Sequence, residues 1–283
     1  MRSPIKHPIF KNRFGTVLLA VCLLCLTSLV TRITLLVFSS ASFDWSLLNI
    51  LRVFLVGLIF DLAAASYAII PLVFYLWLFP AKWFGKRFNK IVLLVYFFII
   101  IATLIANAIS EFIFWEEFSV RFNFIAVDYL VYTTEVIGNI RQSYPINTIL
   151  AILFIVSALL TYSLRNLIWQ STTTPTKFKQ RSKIALLILL APLATYFLVN
   201  HKWKTQSDNQ YVNELSGNGI YDFGFAFWHN ELDYDTFYKT LPIKDAVSLF
   251  RKTFIKDSLQ KTGSYSTRNI VSTEKPNQMN VVL

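Results

Sequence analysis

The chain has 283 residues, of which 55% are hydrophobic and only 15% are charged, whereas a soluble domain usually carries about 25% charged residues. The deficit falls in a few long apolar runs, which excludes an ordinary soluble domain and predicts an all-α polytopic membrane protein. The net charge is +11. Most of this excess lies in short loops beside apolar runs, so we expect no nucleic-acid partner.

Five apolar runs predict five transmembrane helices, since about 20 residues cross the hydrocarbon of a bilayer. The runs cover residues 14–38, 50–79, 91–110, 146–164 and 184–199. The first run exceeds the ~7–15 residues of a signal-peptide core and is interpreted as an uncleaved anchor. Pro71 predicts a kink in the second half of the second run.

Two charged residues lie inside these predicted spans, Arg32 in the first and Asp61 in the second. An ionised side chain in hydrocarbon needs a partner. Arg52 falls on the opposite face of a straight helix from Asp61, whereas Arg32 lies at a similar depth on an antiparallel neighbour. The sequence therefore predicts an Arg32–Asp61 ion pair, which is either structural or part of a proton or substrate site.

The charges of the loops predict the topology. The loops at 1–13, 80–90 and 165–183 carry thirteen Lys and Arg residues and no acid, and the intervening loops are acidic. By the positive-inside rule we expect the N-terminus in the cytoplasm, and five spans then place the C-terminal tail outside.

The segment 111–145 mixes aromatic and charged residues, which is typical of a membrane–water interface. We expect it on the outward face, below an extracytoplasmic domain. The segment contains no His or Cys. Its carboxylates are therefore interpreted as a solvated face rather than as metal ligands or an acid–base pair. They belong to residues 111, 116, 117, 128 and 135.

The tail is interpreted as two parts. Residues 201–274 are expected to form an extracytoplasmic linker, in which Pro242 begins a helix that runs to residue 255. Residues 275–283 end in Asn-Val-Val-Leu, which is typical of the start of a buried β-strand. A strand needs neighbours, so the strand is expected to open a domain that the chain does not complete.

Four stretches resemble bacterial membrane proteins of the lipoteichoic acid synthase family, which are sulfatase-like members of the alkaline phosphatase superfamily. They are GLIFDLAAASY at 57–67, EEFSVRFNFIAVDYLVYTTEVIGNIRQSYP at 116–145, YVNELSGNGIYDFGFAF with HNELDYDTFY at 211–238, and KPNQMNVVL at 275–283. The resemblance implies a multi-pass protein of the bacterial cytoplasmic (inner) membrane. It also implies an extracytoplasmic α/β domain that transfers phosphoglycerol or a related phospho-group from a lipid-linked donor.

The resemblance further implies that the Thr nucleophile and the ligands of a divalent metal such as Mn²⁺ follow Leu283. No catalytic or metal-binding residue is carried over onto this chain, which is therefore expected to anchor a catalytic domain, to hold no cofactor and to be inactive alone. Its expected partners are membrane lipids. Arg121, Phe122, Phe124 and Tyr129 are interpreted as a platform for a lipid head group.

Two other functions stay open. The chain could be a complete five-span transporter or lipid-binding scaffold without enzymatic activity, which the intramembrane charges Arg32 and Asp61 favour. It lacks the internal repeats and paired broken helices that many transporters carry. It could also be a regulatory scaffold that occupies the partners of an intact enzyme.

Overall fold

The structure, a computed structural model, describes residues 11–229 and 241–254, and every regular element in these ranges is a helix. The helices of the first range are α1 (Gly15–Phe38), α2 (Leu47–Ala68), α3 (Ile70–Leu78), α4 (Ala81–Phe84), α5 (Arg87–Phe118), α6 (Phe124–Val131), α7 (Thr133–Ser143), α8 (Ile146–Gln170), α9 (Phe178–Leu198), a 3₁₀ turn (His201–Trp203), α10 (Gln210–Leu215) and α11 (Gly219–Trp228). The second range holds α12 (Ile243–Phe254).

Five helices, α1, α2, α5, α8 and α9, are long and apolar enough to cross a membrane. The prediction of five spans is therefore confirmed, and the chain is a multi-pass membrane protein. A helix is the expected form because backbone N–H and C=O groups in hydrocarbon must be satisfied within the segment. At the end that carries the basic loops, the helices α8 and α9 extend beyond the predicted runs, and α9 includes Arg181 and Lys183.

The second apolar run is divided into two helices. α2 ends at Ala68, Ile69 is the junction, and Pro71 lies in the first turn of α3. Proline lacks the N–H that a continuous helix would use and its ring clashes with the preceding turn. The predicted kink at Pro71 is thus a break between two helices.

The third span is longer than the sequence predicts. α5 continues past the predicted end at residue 110 to Phe118 and stops at Ser119, whose φ of 57° is left-handed. Glu111, which the sequence assigns to the interfacial segment, therefore lies on the span itself. On the same helix, Asn107 Nδ2 lies 3.5 Å from Glu111 Oε2.

The spans pack against one another side by side. Helix α1 contacts α2 and α5, α5 contacts α8, and α9 packs against α2 and α3. Residues 63–66 of α2, Ala-Ala-Ala-Ser, are all buried, and such small side chains let neighbouring helices approach closely. At this point the Ser66 hydroxyl lies 3.1 Å from the Thr195 hydroxyl of α9.

Residues 201–229 belong to the same compact unit as the spans, although the sequence assigns them to a linker. α10 packs on α1 and α2, and α11 packs on α2 and α6. Val212 and Leu215 of α10 are fully buried beside Leu35, Val53 and Trp115 of the spans. The burial of these side chains gives α10 a fixed position on the bundle.

The second unit of the chain is described only through residues 241–254. Its helix α12, Ile243–Phe254, follows Pro242 as the sequence predicts. The rest of the expected linker and the strand predicted at 275–283 lie outside the described residues.

Candidate functional site: a buried polar cluster

Arg32 and Asp61 form a bidentate ion pair between α1 and α2. Arg32 Nη1 lies 2.7 Å from Asp61 Oδ2, Nη2 lies 2.8 Å from Oδ1, and each residue is 1% exposed. Gly57, one helical turn before Asp61, leaves the necessary space, because a Cβ atom there would lie 2.6 Å from Arg32 Nη2. The structure thus brings together the two charges that the sequence paired.

The Arg32–Asp61 pair also binds the short segment that joins α10 to α11. Arg32 donates from Nε to the Leu215 carbonyl and from Nη2 to the Gly217 carbonyl, both at 3.0 Å. Asn218 donates to Asp61 Oδ1 at 2.7 Å and to the Ser28 hydroxyl at 3.0 Å. All three nitrogens of the guanidinium therefore donate, and residues 215–218 are fixed to both spans.

Asn218 also begins helix α11. Its side-chain oxygen accepts a hydrogen bond from the Tyr221 backbone N–H at 3.1 Å, which is the role of an N-cap residue. Its amide nitrogen meanwhile points to Asp61 and Ser28. One asparagine thus starts the helix and attaches it to the bundle.

A second buried ion pair joins Glu111 of α5 to Arg121. The two residues are 2% and 1% exposed, so Glu111 is not part of a solvated face and Arg121 is not available on an open platform. Both expectations are therefore wrong. α5 continues through Glu111 to Phe118, which places Glu111 inside the bundle, and the turn at Ser119 brings Arg121 back to it. The Arg121 backbone N–H donates to Glu214 at 3.0 Å, which adds α10 to the contact.

A third group of charged side chains surrounds Asp222 of α11. Asp222 accepts from Lys204 Nζ at 3.1 Å, its other oxygen lies 3.1 Å from His201 Nε2, and Lys204 is 3.6 Å from Glu214. Burial alone raises the pKa of Asp222, but Lys204 and His201 outweigh it, so the pKa lies below its ordinary value. The carboxylate is therefore held ionised.

Together these side chains form what we call the buried polar cluster: Arg32, Asp61, Glu111, Arg121, His201, Lys204, Glu214, Asn218 and Asp222. Its members come from α1, α2, α5, α10, α11 and the turns beside them. Each acidic side chain of the cluster lies next to a basic one, so most of the charges have a partner. Among the fully buried side-chain atoms of these residues, the Nε and Nη2 atoms of Arg121 lack a hydrogen-bond partner in the described part of the chain.

Acidification is expected to loosen this cluster. The contribution of Asp222 is present above its unfolded pKa, about 3.9, and is lost as the pH falls through its lower folded pKa. We expect Asp222→Asn to lower the free energy of unfolding at neutral pH and to flatten its fall below about pH 4. The measurement is unfolding in mixed micelles across this pH range. The exposed Glu117 supplies the control, Glu117→Gln; an equal flattening in this control would contradict the assignment.

The three aromatic residues of the predicted head-group platform differ in how far they are exposed. Phe122 packs against Phe114 of α5 and Phe223 of α11, with ring centroids 5.3 and 6.2 Å apart. Tyr129 packs against Phe118, at 6.2 Å. Phe124 is 54% exposed, so it alone among the three rings presents a largely open surface.

The cluster does not suit a metal ion. No group of three or more His, Cys, Asp or Glu side chains within residues 11–229 and 241–254 is arranged to bind one. The carboxylates of Asp61, Glu111 and Asp222 each face a cationic side chain. A cation would have to displace an ammonium or guanidinium group that already balances the charge.

Sequence reasoning missed Lys204, Glu214, Asn218 and Asp222. They belong to a nearly neutral tail in which charged residues look solvated. One signal was present: Asn218 stands between Gly217 and Gly219 and three residues before the first aromatic residue of an aromatic-rich stretch. An N-cap residue flanked by two glycines indicates a helix start that packs closely against a neighbour.

The fold and the buried polar cluster define a multi-pass membrane protein with a helical segment clamped to one end of its spans. Comparison with family models, curated proteins and solved structures gives no match to this chain.

Proposed function

We propose that this chain is the membrane-anchoring N-terminal portion of a sulfatase-like phospho-group transferase, similar to the phosphoglycerol transferases of the lipoteichoic acid synthase family. In this role it supplies no catalytic residue and is inactive alone. The four resembling stretches support the proposal, and the five spans agree with the arrangement that the resemblance implies.

The observation that carries the proposal is the attachment of residues 215–218 to Arg32 and Asp61. Charge-assisted hydrogen bonds in a buried site are strong and directional. The start of α11 is therefore held at a fixed point on the bundle. A transferase that takes its phospho-group from a lipid needs its active site at a defined distance from the bilayer, and a fixed starting point provides it.

The proposed location is the bacterial cytoplasmic membrane, with the basic loops inside and the buried polar cluster at the outward end. The distribution of Lys and Arg supports this orientation. The exposed ring of Phe124 is the remaining part of the head-group platform that is free to contact lipid. A divalent metal such as Mn²⁺ belongs to the proposed catalytic domain, where it would neutralise developing phosphate charge.

A transporter or lipid-binding scaffold is the second candidate, because charges inside spans often mark transport sites. Here the guanidinium of Arg32 is committed to Asp61 and to two backbone carbonyls, and Asp61 also accepts from Asn218. A group that is already fully paired has little capacity to bind a transported ion, which favours the anchoring role.

Lipid turnover tests the proposal. The purified chain in nanodiscs with labelled phosphatidylglycerol and Mn²⁺ is expected to release no glycerol phosphate. The chain joined to the domain encoded after codon 283 is expected to turn over this lipid, and that reading frame is expected to encode a Thr nucleophile with Asp and His ligands. Metal-dependent turnover by residues 1–283 alone, or a following frame without these residues, would overturn the proposal.

The substitution Asp61→Asn tests whether the anchor positions the catalytic domain without taking part in the reaction itself. In the longer protein, Asp61→Asn is expected to reduce turnover of the membrane lipid about tenfold or more, because the catalytic domain loses its fixed position. Hydrolysis of a soluble phosphate ester is expected to stay within about twofold, since no step of that reaction needs the bilayer. Equal losses on both substrates would contradict a positioning role.

A further inference from the structure

A second group of buried polar side chains lies at the opposite end of the bundle, which we call the basic end: the start of α1, the end of α3, the end of α8 and the start of α9. Arg13 Nη1 donates to the Leu76 carbonyl at 2.9 Å, and Arg181 Nη1 donates to the Phe79 carbonyl at 2.7 Å. Both guanidinium groups therefore meet at the last turn of α3, where free carbonyls carry partial negative charge.

These two arginines are buried but incompletely paired. Arg13 is 1% and Arg181 is 7% exposed, and the Nε atom of each has no hydrogen-bond partner in the described part of the chain. Between the end of α8 and the start of α9, the donors Trp169 Nε1 and Thr176 Oγ1 and the acceptor Gln170 Oε1 are also buried without a partner there. Buried polar groups are nearly always satisfied, so the two guanidinium Nε atoms without acceptors indicate a ligand that supplies them.

The charge at the basic end is also unbalanced. The sequence has no Asp or Glu in residues 1–43, 62–110 or 136–207, which supply every helix at this end. Burial and the neighbouring charge of Arg181 lower the pKa of Arg13 to about 10. The partial charge of a helix end offsets only about half of one positive charge. The helices of the basic end therefore supply no carboxylate that could balance the two guanidinium groups.

An apolar groove lies beside Phe79, the residue whose carbonyl accepts from Arg181. It is lined by Phe79, Pro80, Trp83 and Phe88 and has a volume of about 410 Å³. Phe79 connects the two features, because its carbonyl accepts from Arg181 while its side chain lines the groove. A small soluble anion would use the arginines only. A phospholipid would use both features, with its phosphate on the guanidinium groups and an acyl chain along the groove.

We propose that Arg13 and Arg181 form a binding site for the phosphate of an anionic membrane phospholipid whose acyl chain lies in the groove at Phe79 and Trp83. Guanidinium N–H groups match phosphate oxygens in geometry and charge. Basic pockets between spans on the cytoplasmic side are suited to anionic head groups. The site lies at the far end of the bundle from the buried polar cluster, so its occupancy does not depend on the function proposed for that cluster.

Lipid retention by the purified chain tests the proposal. Native mass spectrometry is applied to chain exchanged into detergent with phosphatidylglycerol or phosphatidylcholine at equal concentration. We expect phosphatidylglycerol to bind about tenfold more tightly, and Arg13→Gln or Arg181→Gln to remove about tenfold of that affinity. The matched controls are Lys179→Gln and Lys183→Gln, which remove the same charge from exposed positions on α9. They are expected to change affinity less than about twofold.

Further variants keep the charge at the two arginine positions. Others test whether the bound phosphate belongs to a lipid or is free inorganic phosphate. Arg13→Lys and Arg181→Lys keep the charge but lose the fork of donors, so intermediate affinities are expected. Trp83→Ala is expected to weaken the lipid without affecting inorganic phosphate. Displacement of phosphatidylglycerol by millimolar inorganic phosphate, with no effect of Trp83→Ala, would overturn the lipid assignment. Equal losses in the arginine and lysine variants would reduce the site to general surface charge and overturn the proposal.

Discussion

Asp61→Asn is expected to be among the most destabilising single substitutions in the spans. The change leaves the guanidinium of Arg32 buried without its carboxylate and weakens the hold of Asn218. Breaking a buried ion pair by removing one partner typically costs about 3–5 kcal/mol. The measurement is the free energy of unfolding of the purified chain in mixed micelles, with protease sensitivity of residues 201–229 as a second readout.

The control for this substitution is Glu116→Gln, which removes the same kind of charge from an exposed position at the end of α5. Its effect is expected to stay within about 0.5 kcal/mol. The double variant Arg32→Gln/Asp61→Asn is expected to be more stable than the sum of the single losses by roughly 1 kcal/mol or more, because neither charge is then left alone. Additive losses would contradict the pairing as the source of the stability.

Gly219→Ala is expected to separate α11 from the bundle, whereas Gly224→Ala in the same helix is expected to be harmless. A Cβ atom at Gly219 would lie 2.7 Å from Glu111 Oε1, and one at Gly224 would meet nothing within 4 Å. Glu111 cannot easily move aside, because it is buried and paired with Arg121. The overpacking is expected to cost about 1–3 kcal/mol.

The two glycine variants form a matched pair, since each adds one methyl group to α11. Alanine is the better helix former by roughly 0.5–1 kcal/mol, so Gly224→Ala is expected to leave stability unchanged or slightly raised. Both variants are measured by unfolding in mixed micelles, as for Asp61→Asn. Equal effects at the two positions would mean that the contact of Gly219 with Glu111 does not determine the position of α11.

The sequence alone determined the spans of this protein. Long apolar runs have few alternatives in a bilayer, because only a helix satisfies its own backbone there, and the five spans follow directly. A local disturbance at Pro71, expected as a kink, and the start of α12 after Pro242 were also predictable, since proline acts on the backbone within one turn. The Arg32–Asp61 pair could be inferred because few residues can neutralise a charge at that depth.

Only the tertiary structure decided what the remaining charged residues do. Glu111 and Arg121 look like solvated interfacial residues in the sequence, yet they are buried together because α5 continues and Ser119 reverses the chain. Asp222, Lys204 and Asn218 look like parts of a polar linker, yet they attach α11 to the spans. The physical reason is that local patterns report whether a segment can enter hydrocarbon. Whether a charge is paired depends on side chains far away in the sequence, and those meet only after the helices have packed.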